Sequence, residues 1–224
     1  MPVGPPPDVL TPGAPVSSAI GMFPLSLVLF PQAELPLHVF EPRYRTLMRD
    51  CLAGDAEFGV VLISRGSEVG GGDQRFDTGT VARISHVGAL DDGRLMVLAQ
   101  GVRRVRVTEW STDSPYPRAE VSAFPLERAD SDAAAVATAE VAVRRLRSLL
   151  SELGDVPALP HDLALVDDLD LDGWELCELA PLGPIDRQEL LDQPGLSGQM
   201  AMLARLCDDK ADDVLGMLAG GLGS

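Results

Sequence analysis

Apolar positions between residues 25 and 124 come in short runs cut by turn residues, whereas beyond residue 131 they recur every three or four positions. The first habit belongs to strands and the second to helices. Leu25–Phe30 is an apolar run stopped by Pro31, and Leu35-Pro36-Leu37-His38-Val39-Phe40 follows, ending at Glu41-Pro42. Proline suits the first helical position. Pro42 therefore opens a short helix predicted through Ala53, with Tyr44, Leu47, Met48, Cys51 and Leu52 at helical spacing and Gly54 placed to close it. Phe58–Ile63 is apolar on both faces, which suits a strand inside a barrel or under a helix. Thr80–Val87, the turn Asp91-Asp92-Gly93, Arg94–Gln100, Val102–Trp110 and Arg118–Phe124 complete the strands, and Gly101 is placed to bend or bulge one. Short strands around one small helix predict a compact, mostly antiparallel β-barrel.

After Phe124 the period changes. Ser131–Leu153 carries Val136, Ala139, Val143, Leu146, Leu150 and Leu153 at helical spacing. Asp172-Gly173-Trp174-Glu175 resembles a capping box ahead of Leu176-Cys177-Glu178-Leu179, and Pro184 starts a third helix through Leu191. A fourth is expected over 197–218, with Met200, Leu203, Leu206, Cys207, Val214, Leu215 and Leu218 inward. The fold class is thus α+β: a barrel subdomain over 21–125 and a helical bundle over 126–219. Residues 1–20 hold six prolines and two glycines with almost no charge, so they are expected to form a disordered tail. Met22 opens the first plausible strand and is a candidate for the natural start of translation. Gly70-Gly71-Gly72 opens no helix and is expected to be a hairpin loop rather than a phosphate cradle.

Charge divides the same way. Residues 21–125 carry 13 acidic and 11 basic side chains, whereas 126–224 carry 20 and 7, so the bundle holds most of the net −16. Such an excess of acid repels phosphate backbones and anionic membranes, so neither nucleic acid nor membrane is an expected partner. Cys51, Cys177 and Cys207 form no close pair, which suits buried thiols and a cytoplasmic location.

Catalysis meets a shortage of parts. Lys210 is the single lysine, it lies between two pairs of aspartates, and no glycine loop precedes it. That excludes a P-loop, and the aspartates oppose the lowered pKa a Ser–Lys base needs. None of His38, His86 and His161 lies in a zinc-binding or H-E-x-x-H pattern, and Ser197 lacks the glycine spacing of a nucleophile elbow. No catalytic residue, cofactor or metal is therefore assigned.

Several stretches in order resemble the substrate-binding domain found at the N-terminus of Lon-type proteases. They are Met22-Phe23-Pro24-Leu25 through Phe30-Pro31, Leu35–Tyr44, Phe58-Gly59-Val60-Val61, Gly79-Thr80-Val81-Ala82, Gly101–Val107, Leu179–Leu182 and Asp186–Asp192. The resemblance covers about 22–218. It implies a PUA-like barrel packed on a helical bundle, and a stand-alone, non-catalytic, ATP-independent role in recognising protein segments, with a separate protease or chaperone as a further partner. The ATPase and Ser–Lys peptidase modules of such proteases are not expected here, and Gln193-Pro194-Gly195 departs from the charged pattern usual before the last helix.

Candidate binding residues are Phe40, Tyr44, Arg103 and Arg104. Phe40 would meet an unfolded peptide if exposed, and Tyr44 belongs to the same stretch. Arg103, Arg104 and Arg106 alternate with valines, so one must turn inward and the others face water. Two other functions compete. One is a hydrolase pairing His38 or His86 with a serine or Cys51; the other is an acidic scaffold holding a basic protein.

Overall fold

The computed structural model describes residues 18–65, 74–111, 113–127, 132–157, 159 and 169–221. The expected tail over 1–17, the Gly70–Gly72 loop and His161 lie outside them. Six strands lead into five helices, one of which, α1, interrupts the strands. The strands are β1 (Ser18–Leu25), β2 (Glu34–Val39), β3 (Glu57–Arg65), β4 (Gln74–Ala89), β5 (Leu95–Trp110) and β6 (Arg118–Ala123). The helices are α1 (Pro42–Leu52), α2 (Asp132–Glu152), α3 (Leu169–Leu179), α4 (Pro184–Asp192) and α5 (Leu196–Gly221).

The strand order is β2-β5-β4-β3-β1-β6, and β6 also pairs with β5, which closes a ring. Closure is possible because β5 is 16 residues long. Its first half pairs with β2 (Val39↔Leu95 to Glu34↔Gln100) and its second half with β6 (Val105↔Ala123 to Trp110↔Ala119). All ladders are antiparallel except β1–β3.

The first strand lies earlier than the apolar run suggested: β1 ends at Leu25, and Leu25–Phe30 is mostly a connection whose Phe30 is fully buried. Ser18–Gly21 instead pair with Val121–Arg118, which brings three residues of the expected tail into the sheet. A chain starting at Met22 would lack those four pairs and with them the β1–β6 seam. Its thermal transition should fall by at least several degrees relative to a chain starting before Ser18; equal melting by circular dichroism would show the seam to be dispensable. The other elements differ less. Helix α1 ends at Leu52 with Ala53, not Gly54, as its C-cap, and α3 already runs from Leu169, so Asp172 lies within the helix rather than at its start.

Three apolar clusters follow. Met22, Val61, Val81, Val105, Val107, Ala119 and Val121, from five strands, make a core of strand residues alone. Phe23, Phe58, Val60, Ala82 and Ile84 point the other way and pack under Tyr44, Leu47 and Met48 of α1. Val28, Phe30 and Leu62 join the bundle residues Val143, Leu146, Trp174, Leu190, Met200 and Leu203. Consecutive residues of β3 thus supply different cores, which is why Phe58–Ile63 shows no alternation. The helix faces expected inward are buried at their centres, but Leu153, Leu215 and Leu218 at the helix ends are exposed.

Candidate functional site

The hairpin joining β4 and β5 projects beyond the ring and carries β2 along its side. Cross-strand partners share a face of a sheet. Two neighbouring rows therefore lie on one face: Pro36–Leu98–His86 and His38–Met96–Gly88. Alternation assigns the opposite face to Leu35, Leu37, Val39, Val97 and Ala99, which are buried under α1. Neither row holds a charge. Met96 is 47% exposed, and Phe40, just past the end of β2, is 53% exposed with its ring 6.5 Å from that of His38, edge-on. The next row, Glu34–Gln100–Arg83, is polar and bounds the patch. In a chain of net charge −16, six neighbouring uncharged positions with a phenylalanine and a methionine exposed form a distinct apolar surface.

Among the described residues β2 has one strand partner, so it forms an edge. Pro36 has no N–H to offer a further strand, a usual protection of such edges. Any contact made at this surface would therefore rest on side chains more than on an added ladder.

Of the four candidate residues, Arg103 and Arg104 line one open pocket of about 370 Å³, and Phe40 and Tyr44 lie away from it. Phe40 lies in the patch. Tyr44 is buried, stacked on Phe23 at 4.0 Å between ring centroids, with the Arg43 guanidinium 4.5 Å above its ring. Arg103 is half-exposed and pairs with Glu57 at 2.7 Å. The neighbouring Arg83 and Arg103 guanidinium groups hold the Glu57 carboxyl below the usual range against the opposing effect of its partial burial. Arg104 is the arginine that turns inward, and its guanidinium meets backbone carbonyls of the bundle junction, not solvent. Tyr44 and Arg104 thus serve packing, and the surface beside Phe40 is completed instead by Met96, Leu98, His38 and His86. Met96 and Leu98 were legible as one face of the expected strand Arg94–Gln100, but the pairing that sets them beside β2 has no local signal.

The chemistry a hydrolase would need is dispersed. Burial pushes the Cys51 thiol up to about 11 and that of Cys207 up to about 12, and raises Cys177 further, so all three remain thiols at neutral pH. Neither His38 nor His86 hydrogen-bonds a serine or Cys51 among the described residues. Among those residues there is also no cluster of metal-ligating side chains, and no helix long and apolar enough to cross a membrane. The acidic stretch of α5 is engaged internally: Arg145 bridges Asp208 and Asp212, and Arg205 reaches Asp209.

A ring of strands with a helical bundle docked on its flank defines an α+β class seen in solved Lon N-terminal domains. A Lon N-terminal domain protein from Xanthomonas campestris aligns with a TM-score of 0.59 and 28% identity, over 83% of this chain and 96% of that one. The N-terminal domain of the Mycobacterium avium complex Lon protease aligns at 0.61 over 86% of this chain and 99% of its own, with 15% identity, a likeness of fold alone. The family model of the ATP-dependent protease La (LON) substrate-binding domain matches residues 19–208, and the chain belongs to that family. Lon protease 2 of Sorangium cellulosum is 30% identical over 204 residues, which are 86% of this chain and 24% of that protein. The chain spans about a quarter of the length of the curated Lon proteases it matches.

Proposed function

We propose that the protein is a non-catalytic recognition module that holds unfolded or otherwise exposed apolar segments of other proteins. The observation that carries this is the uncharged double row beside the exposed Phe40 and Met96. Family membership supports it, since the matching family is described as a substrate-binding domain. Handing clients to a separate protease or chaperone in the cytoplasm, without ATP, is part of the proposal. The acidic-scaffold reading is weaker, because arginines of the same bundle already engage the α5 aspartates.

Fluorescence anisotropy with a labelled, permanently unfolded polypeptide, and its folded form as control, tests the proposal. Binding should saturate for the unfolded form alone, and the polypeptide should keep its intact mass. Burying a half-exposed phenylalanine or methionine against a partner is worth about 1–2 kcal/mol. Phe40→Ser and Met96→Ser should each weaken binding by about tenfold, with little change in melting temperature because both side chains already face water. Unchanged affinity in the double variant would reject this surface.

A further inference from the structure

Leu95 and Met96 are consecutive in β5, so they point to opposite faces of the sheet. On the Leu95 side, between α1 and the hairpin, lies an open pocket of about 400 Å³ lined by Arg45, Arg49, Leu52, Val87, Gly93 and Leu95. Leu52 is 49% exposed and Val87, within the Ser85–Ala89 end of β4 that is exposed throughout, is 38% exposed. The rim is cationic, and no acidic residue lines the pocket. Arg45 and Arg49 stand one turn apart on α1. Arg45 donates from Nη1 to the Gly93 carbonyl at 3.1 Å, which pins its guanidinium over the hairpin turn. Arg49 is exposed and has no hydrogen-bond or ion-pair partner among the described residues. This is unusual in a chain with 34 acidic and 18 basic side chains, where Arg83, Arg94, Arg145 and Arg205 each pair with a carboxylate.

We propose that this pocket receives the C-terminal residue of a bound polypeptide. Its last side chain, an apolar one, packs on Leu52, Val87 and Leu95, and its α-carboxylate sits between Arg45 and Arg49. Charge complementarity selects the occupant. A guanidinium pair over an apolar floor calls for an anion and an apolar group held close together. A terminal leucine or valine supplies both from one Cα atom. An internal glutamate spends its side chain on the charge and leaves the floor to a neighbour. The inference rests on the recognition reading and sharpens it, since a client anchored here by its end would have the apolar patch available on the other side of the hairpin.

Three labelled hexapeptides test it by anisotropy: one without glutamate ending in a leucine with a free carboxylate, its C-terminal amide, and an amidated one with glutamate between leucines. The free acid should bind, with the amide and the internal glutamate weaker by about tenfold, the loss of one charge-assisted contact pair. Arg49→Gln should bring the acid down to the level of the amide and leave the amide unchanged. Arg45→Gln should do the same and checks that the effect belongs to the pair. Equal binding of acid and amide, full binding by the internal glutamate, no effect of Arg49→Gln, or no binding of any hexapeptide would each overturn the pocket. Phe40→Ser should bind the hexapeptide acid like wild type while binding the unfolded chain about tenfold more weakly, so the two readings fail separately.

Discussion

Arg104→Met should lower the melting temperature by about 10–15 °C, corresponding to a loss of about 3–5 kcal/mol. Arg104 is 4% exposed. Its Nη1 donates to the carbonyls of Leu191 at 2.7 Å and Gln193 at 2.6 Å, and its Nη2 to that of Pro125 at 3.0 Å. Leu191 lies in the last turn of α4 and Gln193 is its C-cap, where a helix leaves carbonyls without partners and carries partial negative charge. A strand arginine of the barrel therefore caps a helix of the bundle and at the same stroke holds the linker at Pro125. Its guanidinium is 4.3 Å from the Phe124 ring and 5.2 Å from that of Trp174, so the charge is also covered by aromatic faces. The linker is fixed a second time nearby, where Glu127 exchanges backbone hydrogen bonds with Pro194 and Leu196. Methionine fills much of the same space but leaves three carbonyls without this donor. Lysine keeps the charge and three donors, but on one compact nitrogen in place of the planar fork that Arg104 spreads over two, so Arg104→Lys should recover less than half of the loss. Melting followed by circular dichroism measures both. A drop under about 2 °C in Arg104→Met would mean the three contacts contribute nothing net.

That contact also marks where the sequence stops being readable. The barrel and bundle, their order and most element boundaries follow from local pattern, because short apolar runs and helical spacing report burial directly. Alternation along Val102–Trp110 requires one arginine to face inward, but does not say which. By strict alternation from the buried Val97 and Ala99, the inward residue would be Arg103. The register shows otherwise: Ala82 pairs with Gly101 and Thr80 with Arg104, so three residues of β5 span what two residues of β4 span. That extra residue moves Arg104 onto the inward face and sends Arg103 to Glu57. The apolar patch has the same status. Phe40 announces itself as an aromatic at the end of a strand, but Met96 and His86 join its surface only through pairings between β2, β5 and β4, more than fifty residues apart in the first case. Tyr44 belongs to the same conspicuous stretch as Phe40, but it lies in α1, whose apolar face turns it onto Phe23.

Gly101, at the start of that irregularity, carries the second large effect. A Cβ at this position would lie 2.2 Å from the Phe30 carbonyl oxygen, 3.1 Å from its carbon and 3.2 Å from the Cα of Pro31. All three are backbone atoms, so no rotamer change relieves the clash. Nor can the loop easily back away, because it is clamped to the same residue on both sides: Gln32 donates to the Gly101 carbonyl at 2.8 Å, and Gly101 donates to that of Ala33 at 2.9 Å. Moving Phe30 would disturb the bundle core, since its buried ring lies 5.5 Å from Trp174 and 4.5 Å from the Arg187 guanidinium. Gly101→Ala should therefore cost about 3 kcal/mol, the upper part of the usual range for forcing atoms into a packed site, or roughly 6–12 °C in melting temperature. Gly88→Ala is the matched control: it is also a strand glycine, but a Cβ there meets nothing within 4 Å. That variant should melt within about 2 °C of wild type, or slightly above it, because alanine restricts the unfolded chain more than glycine does. If both variants melt alike, the loop over β5 yields freely, and the close approach at Gly101 is not what seats Phe30 between barrel and bundle.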